Sequence, residues 1–306
     1  MSKILRSVNR SYQKLKLAES KALTDFGLRV FTHNKKMKNI ILKKNISYGT
    51  SKYQKFDLMY PNNIEVQSLP IIFYVHGGSW CGGDKYGYTM FCQNLSKLRY
   101  VVVNINYRLM PKVSVRTCVA DVIKAIRFST KNLNDILKKE KCKLSANFDK
   151  VFLVGDSAGA HIVSLIAAKQ TSRKLRLKIN IAGLGLYYGV YNFENIEHDP
   201  SPIMTDLDKY WKSVCGDTKK LYKEISTTTY ITPNFPETFM TSGEIDKLHF
   251  QSQVFSKLLK RNNIKLHYLN FKKSRQDARH AFLNAPFLKS AKEAFAMLAD
   301  IFEKLR

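Results

Sequence analysis

The sequence predicts an α/β protein, a mostly parallel sheet with helices on both faces, and three observations predict it. Short apolar runs, such as residues 71–75 and 100–105, alternate along the chain with longer stretches of helical periodicity. Those runs are apolar at almost every position, as in strands buried on both faces, rather than at every second one. The 306 residues, 44% hydrophobic, suffice for one sizeable core.

Taken in order, residues 1–44 hold twelve lysines and arginines against Glu19 and Asp25. Ile4, Val8, Tyr12, Leu15, Ala22 and Phe26 recur there at near-helical spacing. A basic amphipathic helical segment is expected, docking either on this protein as a cap or on anionic lipid as a peripheral contact. Residues 45–306 form the main domain. Strands at 45–49 and 54–60 flank the polar turn 50–52 and start the sheet antiparallel, with Pro61 ending the second. Strands at 71–76, 100–107, 150–155, 179–187, 237–241 and 265–271 complete eight, and helices at 86–98, 115–138, 158–169, 249–261 and 289–304 separate most of them.

One segment breaks the alternation. Residues 189–236 are too long for an ordinary connection and carry Tyr191, Phe193, Tyr210 and Trp211 with Pro200, Pro202, Pro233 and Pro236, so a lid insertion is expected.

Several functional classes are not expected. The net charge of +27 is spread along the chain, lysine outnumbers arginine roughly three to one, and no RNP box, zinc finger or helix-turn-helix pattern accompanies it. No nucleic-acid partner is expected. No apolar run approaches the roughly 20 residues of a membrane-spanning helix, and no signal-peptide pattern opens the chain, so a cytoplasmic protein without integral membrane association is expected, as monomer or homodimer. Cys81, Cys92, Cys118, Cys142 and Cys215 show neither disulfide nor zinc spacing and read as small buried hydrophobes. No HExxH, GxGxxG or P-loop appears, and no metal or organic cofactor is expected.

The chemistry concentrates in two motifs. Gly155-Asp156-Ser157-Ala158-Gly159 follows an apolar strand and precedes a helix, the context of a nucleophile elbow that lifts the Ser157 hydroxyl above the sheet. His76-Gly77-Gly78-Ser79-Trp80 follows the strand at 71–76. Paired glycines let backbone amides approach a developing oxyanion, so Gly77 and Gly78, with Ala158 after the serine, are the expected oxyanion hole. His76 is expected to hold the loop rather than act as a base.

With these residues, with Asn104 to Arg108 and with Pro111, the chain from about residue 45 resembles the α/β-hydrolase superfamily, esterase and lipase branch. It is similar there to hormone-sensitive lipase and to HGGxW carboxylesterases and arylformamidases. The resemblance implies a Ser, acid, His triad in that chain order. The family's Gly-x-x-Asp falls on Asp246, with Glu244 the competing carboxylate, and its His-x-Phe falls on His280. The sequence departs from the family in the basic loop before that histidine, with Lys272, Lys273, Arg275 and Arg279, a source of repulsion for protonated His280 or of attraction for an acidic substrate.

The expected function is a serine hydrolase that cleaves small to medium carboxylic esters through an acyl-enzyme. Two alternatives stay open: an amidase or arylformamidase with the same triad, and a non-catalytic binding protein on the same fold.

Overall fold

In the computed structural model, residues 37–62, 68–140, 143–215 and 217–306 are described. The expected N-terminal helix lies almost wholly outside them. Where its segment ends, the chain is already a strand: β1 (Ile40–Ser47) takes residues 40–44, which the sequence reading gave to the helical segment. Antiparallel pairing with β2 (Lys55–Pro61) decides this, with Ile40 opposite Pro61 and buried. A register shift between Lys43 and Ile46 leaves Asn45 at φ 61°, and its amide donates to Asp57 Oδ1 at 2.7 Å.

The remaining strands are β3 (Ser68–Val75), β4 (Val101–Ile105), β5 (Ser145–Asp156), β6 (Ile181–Tyr187), β7 (Thr238–Gly243) and β8 (Leu266–Phe271). They form one eight-stranded sheet in the order β1-β2-β4-β3-β5-β6-β7-β8, parallel from β4 onward. The two-residue period sorts β3 between two cores: Ile71, Phe73 and Val75 face one, Ile72 and Tyr74 the other.

Helix α1 (Thr89–Lys97) follows a 3-10 turn (Lys85–Tyr88) and covers the second face with α7 (Lys289–Leu305). Helices α2 (Val115–Lys139), α3 (Ala158–Thr171) and α6 (His249–Arg261) cover the first. In α2 the buried stripe Val115, Cys118, Val122, Ile126, Leu133 and Leu137 follows the helical period. Ser114 caps its start by accepting from the Thr117 amide.

Residues 189–236 are not a bare loop. They hold α4 (Pro202–Cys215) and α5 (Lys219–Ile225), whose Trp211, Leu221, Tyr222 and Ile225 join the first core. Cys81, Cys92 and Cys118 are buried free thiols. Among the described residues no helix is long and apolar enough to cross a membrane.

Candidate active site

A parallel sheet brings the C-terminal ends of its strands to one edge, and the chemistry-bearing residues collect there. β5 ends at Asp156 and α3 begins at Ala158, so Ser157 alone makes the turn, at φ 48° and ψ −118°. A non-glycine residue keeps such a backbone only where its surroundings enforce it. The Ser157 amide donates to the Tyr187 carbonyl at 2.9 Å, and the His161 amide donates back to Ser157 O at 3.1 Å. Two residues on, a Cβ at Gly159 would lie 2.0 Å from the Val75 carbonyl, so only glycine lets α3 sit this close to β3.

His280 Nε2 lies 3.1 Å from Ser157 Oγ, and Nδ1 lies 2.9 Å and 3.1 Å from the two Asp246 oxygens. These contacts fix the tautomer: Nδ1–H donates to the carboxylate and Nε2 accepts from the hydroxyl. Asp246 is fully enclosed and also accepts from the Leu248 amide at 2.8 Å. The competing Glu244 turns away, bonded to Lys272 Nζ and the Lys273 amide at 3.1 Å each, and the Lys272 ammonium holds its carboxyl below the usual range.

The other histidines sit elsewhere. His267 pairs with Glu237, His249 meets the Ser242 hydroxyl, His198 lies beside Glu197 and His161 is buried in α3; His33 lies outside the described residues. The basic loop is largely matched by acids and an amide around it. Lys272 pairs with Glu244, Arg275 with Asp277 and Glu293, and Arg279 with the Gln276 side chain.

The glycine loop differs from expectation at one position. The Gly77 amide donates to Asp156 Oδ1 at 2.8 Å, so it is already committed and not turned toward the Ser157 hydroxyl. Its place among the oxyanion donors is corrected on that ground. Gly78 stays in the loop at φ 119°, where a Cβ would collide with the Gly82 carbonyl. His76 is buried, its Nδ1–H donates to Gly77 O at 2.7 Å, and its ring stacks on Tyr107 at 4.5 Å. Burial lowers its pKa, so it is held neutral as a loop anchor.

Sequence reasoning passed over Asp156. Its carboxylate is buried, accepts from the Tyr74 and Tyr88 hydroxyls at 2.8 Å each besides Gly77, and is pushed up to about 6 by burial against the pull of those donors. The signal was present: an acid that directly follows the apolar run Val151 to Val154 and Gly155 can hardly reach water.

Beside Ser157, Ser79 and Ala158 open a narrow pocket of about 10 Å³, walled by Trp80, Val190, Ile203, Met204, Leu207 and Leu248. No ionisable side chain lines it. A larger hollow of about 130 Å³ between α1 and α7 is lined by Tyr88, Phe91, Leu283 and Phe295 but by no residue of the Ser157 cluster. Among the described residues, no cluster of His, Cys, Asp and Glu is arranged to hold a metal ion.

Comparison with known proteins gives the following. The BD-FAE family model matches residues 56–260. The chain is 32% identical over 159 residues to probable carboxylesterase 6 of Arabidopsis thaliana, covering 48% of this chain and 46% of that protein. It is 27% identical over 201 residues to esterase LipQ of Mycobacterium tuberculosis, covering 62% and 46%. The chain thus spans about half the length of the curated relatives it matches. Among solved structures, esterase B from Lactobacillus rhamnosis superposes with a TM-score of 0.82 at 19% identity, over 98% of this chain and 96% of that one. A bacterial heroin esterase gives 0.76 at 15% identity, over 95% and 92%. At such identities the likeness establishes the fold.

Proposed function

The chain belongs to the BD-FAE family, of α/β-hydrolase carboxylesterases, and from that membership we propose that it is a serine hydrolase of small to medium carboxylic esters. One observation carries the reading: the continuous hydrogen-bond chain from Ser157 Oγ through His280 to Asp246. It links a nucleophile, a base and an orienting acid in the order that acyl transfer uses.

His280 Nε2 takes the hydroxyl proton as Ser157 Oγ attacks the ester carbonyl, and Asp246 steadies the imidazolium that results. Charge then develops on the carbonyl oxygen. The amides of Gly78 and Ala158 receive it; Ala158 opens α3, where an amide has no partner within the helix and the helix dipole favours an anion. The imidazolium gives its proton to the leaving alcohol, leaving Ser157 acylated. Water, deprotonated by the same histidine, releases the acid. The apolar pocket under α4 receives a small, uncharged acyl group, and residues 189–236 act as the lid over it.

Hydrolysis of p-nitrophenyl acetate, butyrate and octanoate by the wild type and by Ser157→Ala tests the proposal. Turnover that the substitution abolishes supports it. A formanilide cleaved faster than every ester would move the assignment to amides, and inertness of the wild type toward both would favour a binding protein.

A further inference from the structure

Asp156 is used by no step above, yet it adjoins in the chain the serine whose Oγ lies 3.1 Å from His280 Nε2. It is bonded through the chain to Ser157 and through hydrogen to Gly77, the residue before the expected oxyanion donor Gly78. One carboxylate therefore ties the two walls of the oxyanion site together. Oδ1 accepts from Gly77 N and Tyr74 OH, and Oδ2 accepts from Tyr88 OH, all at 2.8 Å. Three donors surround it, an arrangement that suits the ionised form.

Building on the esterase reading, we propose that Asp156 is a positioning residue, which locks the oxyanion loop against the nucleophile through Gly77 and steadies the cationic form of His280 through its charge.

The groups that face it make His280 the one that matters electrostatically. Tyr74 on β3, Tyr88 in the 3-10 turn, Cys92 on α1 and Tyr187 and Tyr188 at the end of β6 all have their pKa raised far by burial, then by Asp156 itself or a nearby acid, and stay neutral. Among these neighbours only His280 takes on charge in the reaction, and its attraction for Asp156 opposes the burial that raises the carboxyl. A buried charge in the wrong place would cost several kcal/mol and be lost to protonation. Here three hydrogen bonds keep it.

An asparagine at 156 separates geometry from charge. Its amide oxygen can keep the Gly77 and Tyr74 bonds at the Oδ1 position, while its NH₂ meets a Tyr88 hydroxyl that rotates to accept. The contacts persist and the charge does not.

The test is kcat and KM for p-nitrophenyl butyrate across pH 5–9 with wild type, Asp156→Asn and Tyr88→Phe, together with melting temperatures at pH 8. Asp156→Asn should lower kcat about thirtyfold with KM within about twofold, and Tyr88→Phe about fivefold. The acid limb of kcat/KM should move to lower pH in Asp156→Asn, because the charge that favours the imidazolium is gone and the base stays neutral further down. An active wild type beside an Asp156→Asn variant with unchanged kcat and an unmoved acid limb overturns the inference alone. A loss of kcat that tracks a lowered melting temperature, with Tyr88→Phe unaffected, assigns Asp156 a structural role and also overturns it. A wild type inert toward every ester overturns the esterase reading and this inference with it.

Discussion

The Trp80 indole N–H donates to His161 Nδ1 at 3.0 Å, across 81 residues of chain. Nδ1 accepts, so Nε2 carries the ring proton and donates it to the Ile225 carbonyl at 2.8 Å. One neutral imidazole thereby joins the glycine loop, the helix that follows Ser157 and the end of α5. Trp211 of α4 packs against Trp80 at 5.9 Å, fixing the lid to the same point.

His161→Phe should therefore destabilise the fold by about 2–4 kcal/mol, measured by urea denaturation at pH 8, because a buried indole N–H and a buried carbonyl lose their partners. Burial pushes His161 down to about 4. Its unfolded pKa is near 6.5, so the wild type loses stability from this residue as pH falls from there toward 4. The gap between wild type and variant should accordingly shrink between pH 8 and pH 4.5.

Removing any one member of the Ser157 hydrogen-bond chain should cost most of the activity. Ser157→Ala and His280→Ala should each lower kcat by about 10⁴-fold or more, and the double variant by little beyond that, since the pair acts as a unit. Asp246→Asn should fall by about 10³- to 10⁴-fold through the wrong histidine tautomer. Steady-state ester hydrolysis by the four variants checks this.

Asp156 should make stability fall as pH rises. Its folded pKa of about 6 lies above the unfolded value, so the folded state holds the extra proton between roughly pH 4 and pH 6 and its contribution declines across that window. Relative to wild type, Asp156→Asn should gain stability through the same window, on the order of 3 kcal/mol, and the difference should level off above pH 7. Denaturation midpoints at pH 4, 6 and 8 measure it.

Leu207→Ala should enlarge the pocket under α4, where Leu207 lines the space beside Ser157 together with Ile203 and Met204 of the same helix. The ratio of kcat/KM for p-nitrophenyl octanoate to that for the acetate should rise about tenfold, since each added methylene that finds apolar surface contributes about 0.8 kcal/mol.

Gly159→Ala should fail to accumulate as folded protein. Its Cβ would meet the Val75 carbonyl at 2.0 Å, and neither β3 nor α3 can retreat without breaking the sheet edge that presents Ser157. Expression with circular dichroism checks this.

Much of the architecture was legible because its signals are local. The apolar runs at 71–75 and 151–154 required strands buried on both faces, and β3 and β5 are such strands. The helix expected at 249–261 is α6 residue for residue, since its period of buried positions needs no distant partner to be read. Residues 40–44 misled because a basic stretch carries no trace of the β2 strand that claims it. Residues 189–236 were legible as a long insertion but not as α4 and α5, whose apolar residues acquire meaning only against Trp80 and α3.

By itself the sequence determined most of the order of strands and helices and the strand-turn-helix context of Ser157, since these follow from local propensity; Asp246 and His280 it offered only through the resemblance to a family's motifs. Tertiary structure alone decided how the groups around them are used. It gave the Gly77 amide to Asp156, turned Glu244 toward Lys272, made His161 a neutral link between loop and lid, and closed the pocket with Leu207. The physical reason is common to all four. A hydrogen-bond donor or acceptor must find a partner when it is buried, and which partner it finds depends on what the fold places within about 3 Å, not on what stands nearby in the chain.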